Sequence, residues 1–173
     1  MKEKSGLDIK DIITTGLLLG IGAILHYVVP PIYGGIKPDF LLCLMFIAIF
    51  LTPNFSNTLL AGGGGAIIAA LTTGFPGGQI PSIFDKLISA VFIFILFKFL
   101  FFKKKNVVII GILNFLGTVV SGAIFVMSVI IITGTQLAFL TVMFFMVLPT
   151  AIFNTALGVL IFRVFQSKIK DVN

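Results

Sequence analysis

Six apolar runs, separated by short breaks rich in proline, glycine or asparagine, leave this chain one environment in which to fold. They cover about residues 12–29, 39–52, 58–73, 84–102, 107–132 and 138–165, and only the second is clearly short. A helix rises about 1.5 Å per residue and crosses a bilayer with ~20 apolar residues. A length of 173 residues therefore accommodates six spans joined by short loops. Charged residues make up 10% of the chain and its mean hydropathy is +1.21, whereas a soluble domain carries about 25% charged residues. There is too little polar surface here to cover a soluble globule. The expectation is an all-α integral membrane protein, one membrane-embedded domain over residues 1–173, with no soluble catalytic domain. The polar residues 1–10 run straight into the first apolar run without a small-residue cleavage site, so they read as the flank of a retained span rather than a signal peptide.

The longest break between the terminal regions is Thr72–Lys86, which holds Gly74, Pro76, Gly77, Gly78, Pro81 and Asp85. Two prolines and three glycines are costly inside a regular helix. Irregular backbone in a membrane protein lies outside the hydrocarbon, is buried in protein, or lines a cavity. Residues 74–83 thus read either as a plain surface loop or as a loop folded back over a binding cavity. Gly62–Gly65 in the third run remove side-chain bulk, for close packing or to leave room for a ligand. Gly16, Gly20 and Ala23 recur at helical spacing in the first run. They make a smooth stripe that suits a neighbouring helix, within this protein or in a partner.

Lysine and arginine gather at the N-terminus, at Lys103–Lys105 and in the C-terminal tail. With six spans these three places share one side, which the positive-inside rule makes the cytoplasm of a multi-pass cell-membrane protein. The loops at 30–38, 74–83 and 133–137 then face outward. This topology, together with attraction to anionic membrane lipid, accounts for the net charge of +6. No basic motif points to nucleic acid.

Few ionisable residues lie between those clusters. Lys37, Asp39, Asp85 and Lys86 fall at the expected outer rim, with His26, Tyr27 and Tyr33 beside them. Acids and lysines can meet the ammonium and carboxylate of a zwitterion, and aromatics can hold an apolar body. Deeper lie Asn114, Ser121, Thr150, Asn154 and Thr155. An amide in hydrocarbon needs a partner, so Asn154 should face the bundle and meet either another helix or a ligand. The chain lacks a P-loop, metal-ligand spacing, a nucleophile for its single histidine, and a chain of intramembrane acids. Cys43 is its one cysteine. These features argue against an enzyme, a cofactor, a metal site or a self-powered pump.

The stretches Gly20–Pro31, Lys37-Pro-Asp-Phe40, and Thr72–Pro81 leading into Asp85-Lys86 resemble the substrate-binding S components of energy-coupling-factor (ECF) transporters. Within that group the chain is most similar to the TrpP family of tryptophan transporters, over nearly its full length. The resemblance implies a six-helix protein that captures a micronutrient from outside with loops one, three and five and the outer helix ends. It implies partners as well: a shared transmembrane coupling subunit and ATPase subunits, on which the protein docks and topples to release its ligand. Docking in such proteins uses small residues on the first helix, typically Ala-x-x-x-Ala, and the matching stripe here is Gly16, Gly20 and Ala23.

For tryptophan as ligand, Asp39 or Asp85 would pair with the α-ammonium. Lys37, or the backbone N–H groups of Gly77 and Gly78, would meet the carboxylate. Tyr33 and Phe75 would stack on the indole, and Gln79, Asn114 or Asn154 would accept its N–H. The alternatives are an S component for another micronutrient, a stand-alone secondary carrier, and a membrane protein with a structural role.

Overall fold

The structure is a computed structural model that describes residues 7–30, 38–101 and 106–170. Within them every regular element is helical. Helix α1 is Ile9–Val28; Pro30 disfavours helical backbone at Val29 and so ends it. Helix α2, Phe40–Leu51, starts at Asp39, whose side chain accepts from the Leu42 N–H, and stops before Pro53. Asn54 caps α3, Phe55–Thr72, in the same way through the Asn57 N–H. Helix α4 is Gln79–Leu96 and continues through a π-helical turn, Phe97–Phe101. Helix α5, Val107–Thr133, ends on Gly134 at φ 67°, a left-handed position that glycine adopts without a Cβ penalty. The last helix, α6, begins as Phe139–Val142, passes through a π-helical turn at Met143–Val147 and runs on as Leu148–Lys170.

Five of the six helices are long and apolar enough to cross a membrane. The exception is α2, whose 12 residues span ~18 Å against a hydrocarbon core of about 30 Å. It is the centre of the protein: ten of its residues, Leu41 to Phe50, are buried, and it touches each of the other five helices. Its phenylalanines continue the core, with Phe50 against Phe97 at 5.2 Å between ring centroids. By contrast, α1 turns Ile13, Leu17, Ile21 and Ile24 outward.

The four-glycine run is a packing device. A Cβ on Gly62 would lie 2.8 Å from that of Ala90 on α4. One on Gly64 would lie 2.9 Å from Leu19 on α1, and one on Gly65 2.9 Å from Met45 on α2. Three neighbours thus approach α3 where it has no side chains, which decides for packing over ligand room.

The break after α3 is shorter than its composition suggests. Only residues 73–78 are non-helical, and Pro81 lies in the first turn of α4. Its missing N–H costs nothing there, because the first four N–H groups of a helix have no intrahelical acceptor. The sequence-based loop at 74–83 and helix start near 84 are corrected accordingly.

Two contacts define the ends of the bundle. Thr52 donates to Asp11 at 3.0 Å, bringing the start of α1 to the α2–α3 turn. A Cβ on Gly77 would lie 3.0 Å from Thr133, which brings loop 73–78 to the end of α5.

Candidate functional site

A cavity of about 870 Å³ opens at the end of the bundle that carries loop 73–78. His26 and Tyr27 from the end of α1 line it, as do Thr72, Thr73, Gly74 and Phe75 from the end of α3 and the loop. Helix α5 contributes Thr118, Ser121, Gly122 and Phe125, and α6 contributes Met146, Val147 and Thr150. Asp39, Ser82, Asp85 and Lys86 line it as well, among apolar side chains such as Leu42 and Val126.

Helix geometry puts the charges deep. Lys86 follows the start of α4 by seven residues, ~10 Å along the axis. Asp39 reaches the same level because it caps the short, buried α2. The Lys86 ammonium donates to Asp39 Oδ2 at 2.7 Å and to Asp85 Oδ2 at 2.6 Å. Lys86 is 4% exposed and Asp85 2%; charges so far from water persist only when paired and hydrogen-bonded.

The supports are specific. Ser89, one turn along α4, donates to Asp85 Oδ1 at 3.2 Å, and Ser121 on α5 donates to the same oxygen. The Asp39 N–H donates to Asn154 Oδ1 at 3.0 Å, while Asn154 Nδ2 donates to Thr118 at 3.2 Å. Asn154 therefore ties α2 to α5 and α6 beneath the cavity. His26 Nδ1 stands 3.5 Å from Asp39 Oδ1. The Asp39 carboxyl thus has the Lys86 ammonium on one oxygen and the His26 ring beside the other. Two carboxyl groups share one ammonium, and Lys86 keeps a third N–H beyond the two it donates.

Of the ligand contacts assigned from sequence, Asp39, Asp85 and Phe75 line this cavity, as do His26, Tyr27, Lys86, Ser121 and Thr150 of the wider candidate set. Asn154 sits directly under Asp39 without lining it. Gly77 occupies the left-handed turn of the loop at φ 75°. Gly78 precedes α4 and donates its N–H to the Phe75 carbonyl at 2.9 Å, so that N–H is already committed. Gln79 is exposed at the start of α4, outside the cavity. Asn114 lies one turn before Thr118 on α5, outside the cavity lining, and donates to the Ile110 carbonyl of its own helix. Tyr33 and Lys37 lie outside the described residues. Gly16 and Gly20 face away from the bundle: a Cβ on either would meet no described atom within 4 Å. Ala23 is partly exposed beside them. The glycine that packs α1 internally is Gly22, whose Cβ would lie 3.0 Å from Leu41 Cα.

Lys86 stands in the rim set whose lysines can meet a carboxylate, but of the two only Lys37 has a specific assignment from sequence. With the fourth run read as starting near residue 84, Lys86 falls at the rim; the helix start at Gln79 puts it seven residues deep, where a lysine calls for a buried counter-charge. Thr118 and Phe125 carried no comparable signal. Phe125 meets Phe75 edge-to-face at the cavity, with ring centroids 5.8 Å apart and planes at 85°.

A helical bundle with five helices long and apolar enough to cross a membrane, and a cavity floored by buried, paired charges at one end, defines a multi-pass membrane protein with a pocket open to one side. Comparison with known proteins gives the family. The family model described as tryptophan transporter TrpP matches residues 8–170. A probable tryptophan transport protein of Bacillus subtilis is 40% identical over 161 residues, 93% of each chain. Proteins with the same description in Clostridium acetobutylicum and Clostridium perfringens are 32% and 34% identical. These alignments cover 96% of this chain and 97% of the former relative, and 93% of both chains for the latter. No solved structure matches. The chain belongs to the TrpP tryptophan transporter family, a family of transporters and not of enzymes, and it is a multi-pass protein of the plasma membrane.

Proposed function

We propose that this protein takes up tryptophan, holding it in the cavity above Lys86, and serves as the substrate-binding subunit of an ECF-type transporter. The observation that carries the reading is the charge cluster. A cavity with two carboxyl groups, one ammonium with an N–H to spare and mostly apolar walls is complementary to a zwitterion with an apolar side chain. The substrate ammonium meets Asp39 and Asp85, and its carboxylate takes the third N–H of Lys86. Hydrogen bonds to charged groups contribute about 1.5–3 kcal/mol each, enough to select an amino acid over the bare side chain. Phe75 covers the apolar body, and Tyr33 and Lys37 belong to the loop expected at the same mouth.

The cavity mouth faces outward, with the termini and Lys103–Lys105 at the cytoplasmic side. The outward-facing Gly16 and Gly20, with the partly exposed Ala23, on one of the two least enclosed spans support docking of α1 on a transmembrane coupling subunit.

Thermal unfolding of the detergent-purified protein against tryptophan, other amino acids, indole and vitamins tests the ligand, because a ligand that binds only the folded state raises its stability. Stabilisation by tryptophan and not by indole is expected. Stabilisation by a vitamin instead would discard tryptophan. Uptake that persists in cells lacking the coupling subunits would discard the ECF arrangement in favour of a secondary carrier.

A further inference from the structure

We propose that Phe125 is the specificity-determining wall of an aromatic subsite, on which the ring of the substrate side chain packs while Phe75 closes over it from the loop. The inference rests on reading the cavity as an amino-acid site, and it names the class of side chain that the site selects.

The argument is one of spacing. Phe125 and Ser121 stand one turn apart on the same face of α5, and both line the cavity. Ser121 holds Asp85, the acid of the charge cluster. Four residues of helix separate the aromatic wall from the charge-holding hydroxyl by ~6 Å. A ring joined to its α-carbon through a single methylene spans such a gap with the zwitterion on the charges and the ring on Phe125. A longer linker overshoots the wall.

The two walls also differ in how they are held. Phe125 is fixed on a 27-residue helix that α6 approaches closely, since a Cβ on Gly122 would fall 2.5 Å from Val147. Phe75 is borne by the six residues 73–78, between Gly74, whose Cβ would meet no described atom within 4 Å, and Pro76. The present edge-to-face contact is a favoured arrangement for aromatic rings. A planar ring entering from the mouth meets Phe125 with the same preference as Phe75 gives way.

The test uses the full chain. It contains no tryptophan, so all indole emission comes from the ligand and its change on transfer from water to the site reports binding, with leucine, phenylalanine and tyrosine as competitors. Phe125→Leu keeps apolar bulk and removes the ring; the ratio of tryptophan to leucine affinity is expected to fall about tenfold, while Phe125→Tyr stays within about threefold of the parent. Thermal unfolding without ligand checks that both variants fold as the parent does. An unchanged tryptophan-to-leucine ratio in Phe125→Leu overturns the inference, and so does equal damage from Leu and Tyr; either leaves tryptophan uptake standing. A parent protein that binds leucine and no aromatic amino acid overturns the inference and the proposed substrate together.

Discussion

Replacing Lys86 by methionine is the sharpest perturbation the cluster allows. The substitution keeps most of the side-chain volume and removes a charge that two carboxylates share, at 2.7 and 2.6 Å. Asp85 is then left buried with only Ser89 and Ser121 as donors, and Asp39 with the Leu42 N–H and His26. Breaking a buried pair by removing one partner costs about 3–5 kcal/mol, most of it the penalty on the orphaned charge. For a chain of this size 1 kcal/mol moves the melting temperature by about 2–4 °C, so Lys86→Met is expected to melt roughly 6–20 °C lower. The orphaned charge predicts rescue as well. Asp85→Asn alone preserves the Lys86–Asp39 pair and should cost under about 2 kcal/mol, because the amide oxygen still accepts from both serines. Adding Asp85→Asn to Lys86→Met should recover about half of the loss, since one of the two unpaired charges disappears. Melting curves of the parent, both single variants and the double variant close the cycle. Additive losses, or an Asp85→Asn variant less stable than Lys86→Met, would refute the premise that the lysine compensates both acids.

Three further outcomes are expected. Gly158→Ala places a Cβ 2.6 Å from Asn114 Nδ2, which should cost about 1–3 kcal/mol through overpacking; thermal unfolding should show most of it regained in Gly158→Ala/Asn114→Ala. Asn154→Leu strips the Asp39 N–H and Thr118 of their partner at about 1–3 kcal/mol, and tryptophan affinity should fall with stability although Asn154 does not line the cavity. Gly16→Leu and Gly20→Leu meet open space, so melting temperature and tryptophan binding in detergent should hold while uptake in cells falls; unchanged uptake would dismiss α1 as the docking face.

Much of this architecture was legible in the chain, and the exceptions have physical causes. The runs ending at Val28, Leu51 and Thr133 carry their own stop signals in Pro30, Pro53 and Gly134, so those boundaries fall within two residues of expectation. The start of α4 did not, because composition cannot tell a proline inside a helix from one in its first turn, where no acceptor is lost. Asp39 and Asp85 could be singled out as rare acids, but their sharing of one lysine is a tertiary fact. Adjacent residues on a helix point about 100° apart, and the contact depends on the length of the Lys86 stem. The small-residue stripe was ambiguous for a like reason: Gly16 and Gly20 look equivalent to Gly22 until α2 is seen to press on one face alone. Phe125 is one of 20 phenylalanines, and nothing local separates a ring over a cavity from one facing lipid.

The short α2 explains how the protein holds charge where a membrane span would not tolerate it. Were α2 as long as its neighbours, its first residue would stand at the mouth and Asp39 would be solvated, with no reason to engage Lys86. Because the helix starts inside the bundle, its cap becomes the floor of the cavity, and the carboxylate that satisfies the Leu42 N–H also receives the lysine. The same burial fixes that floor, since α2 can shift only by disturbing five helices at once. The mouth, built from loop 73–78 and the ends of α1 and α3, has no such constraint. Entry of a substrate can then rearrange the mouth while the charges stay in place, so its ammonium and carboxylate meet groups already oriented and little binding energy is lost to ordering them.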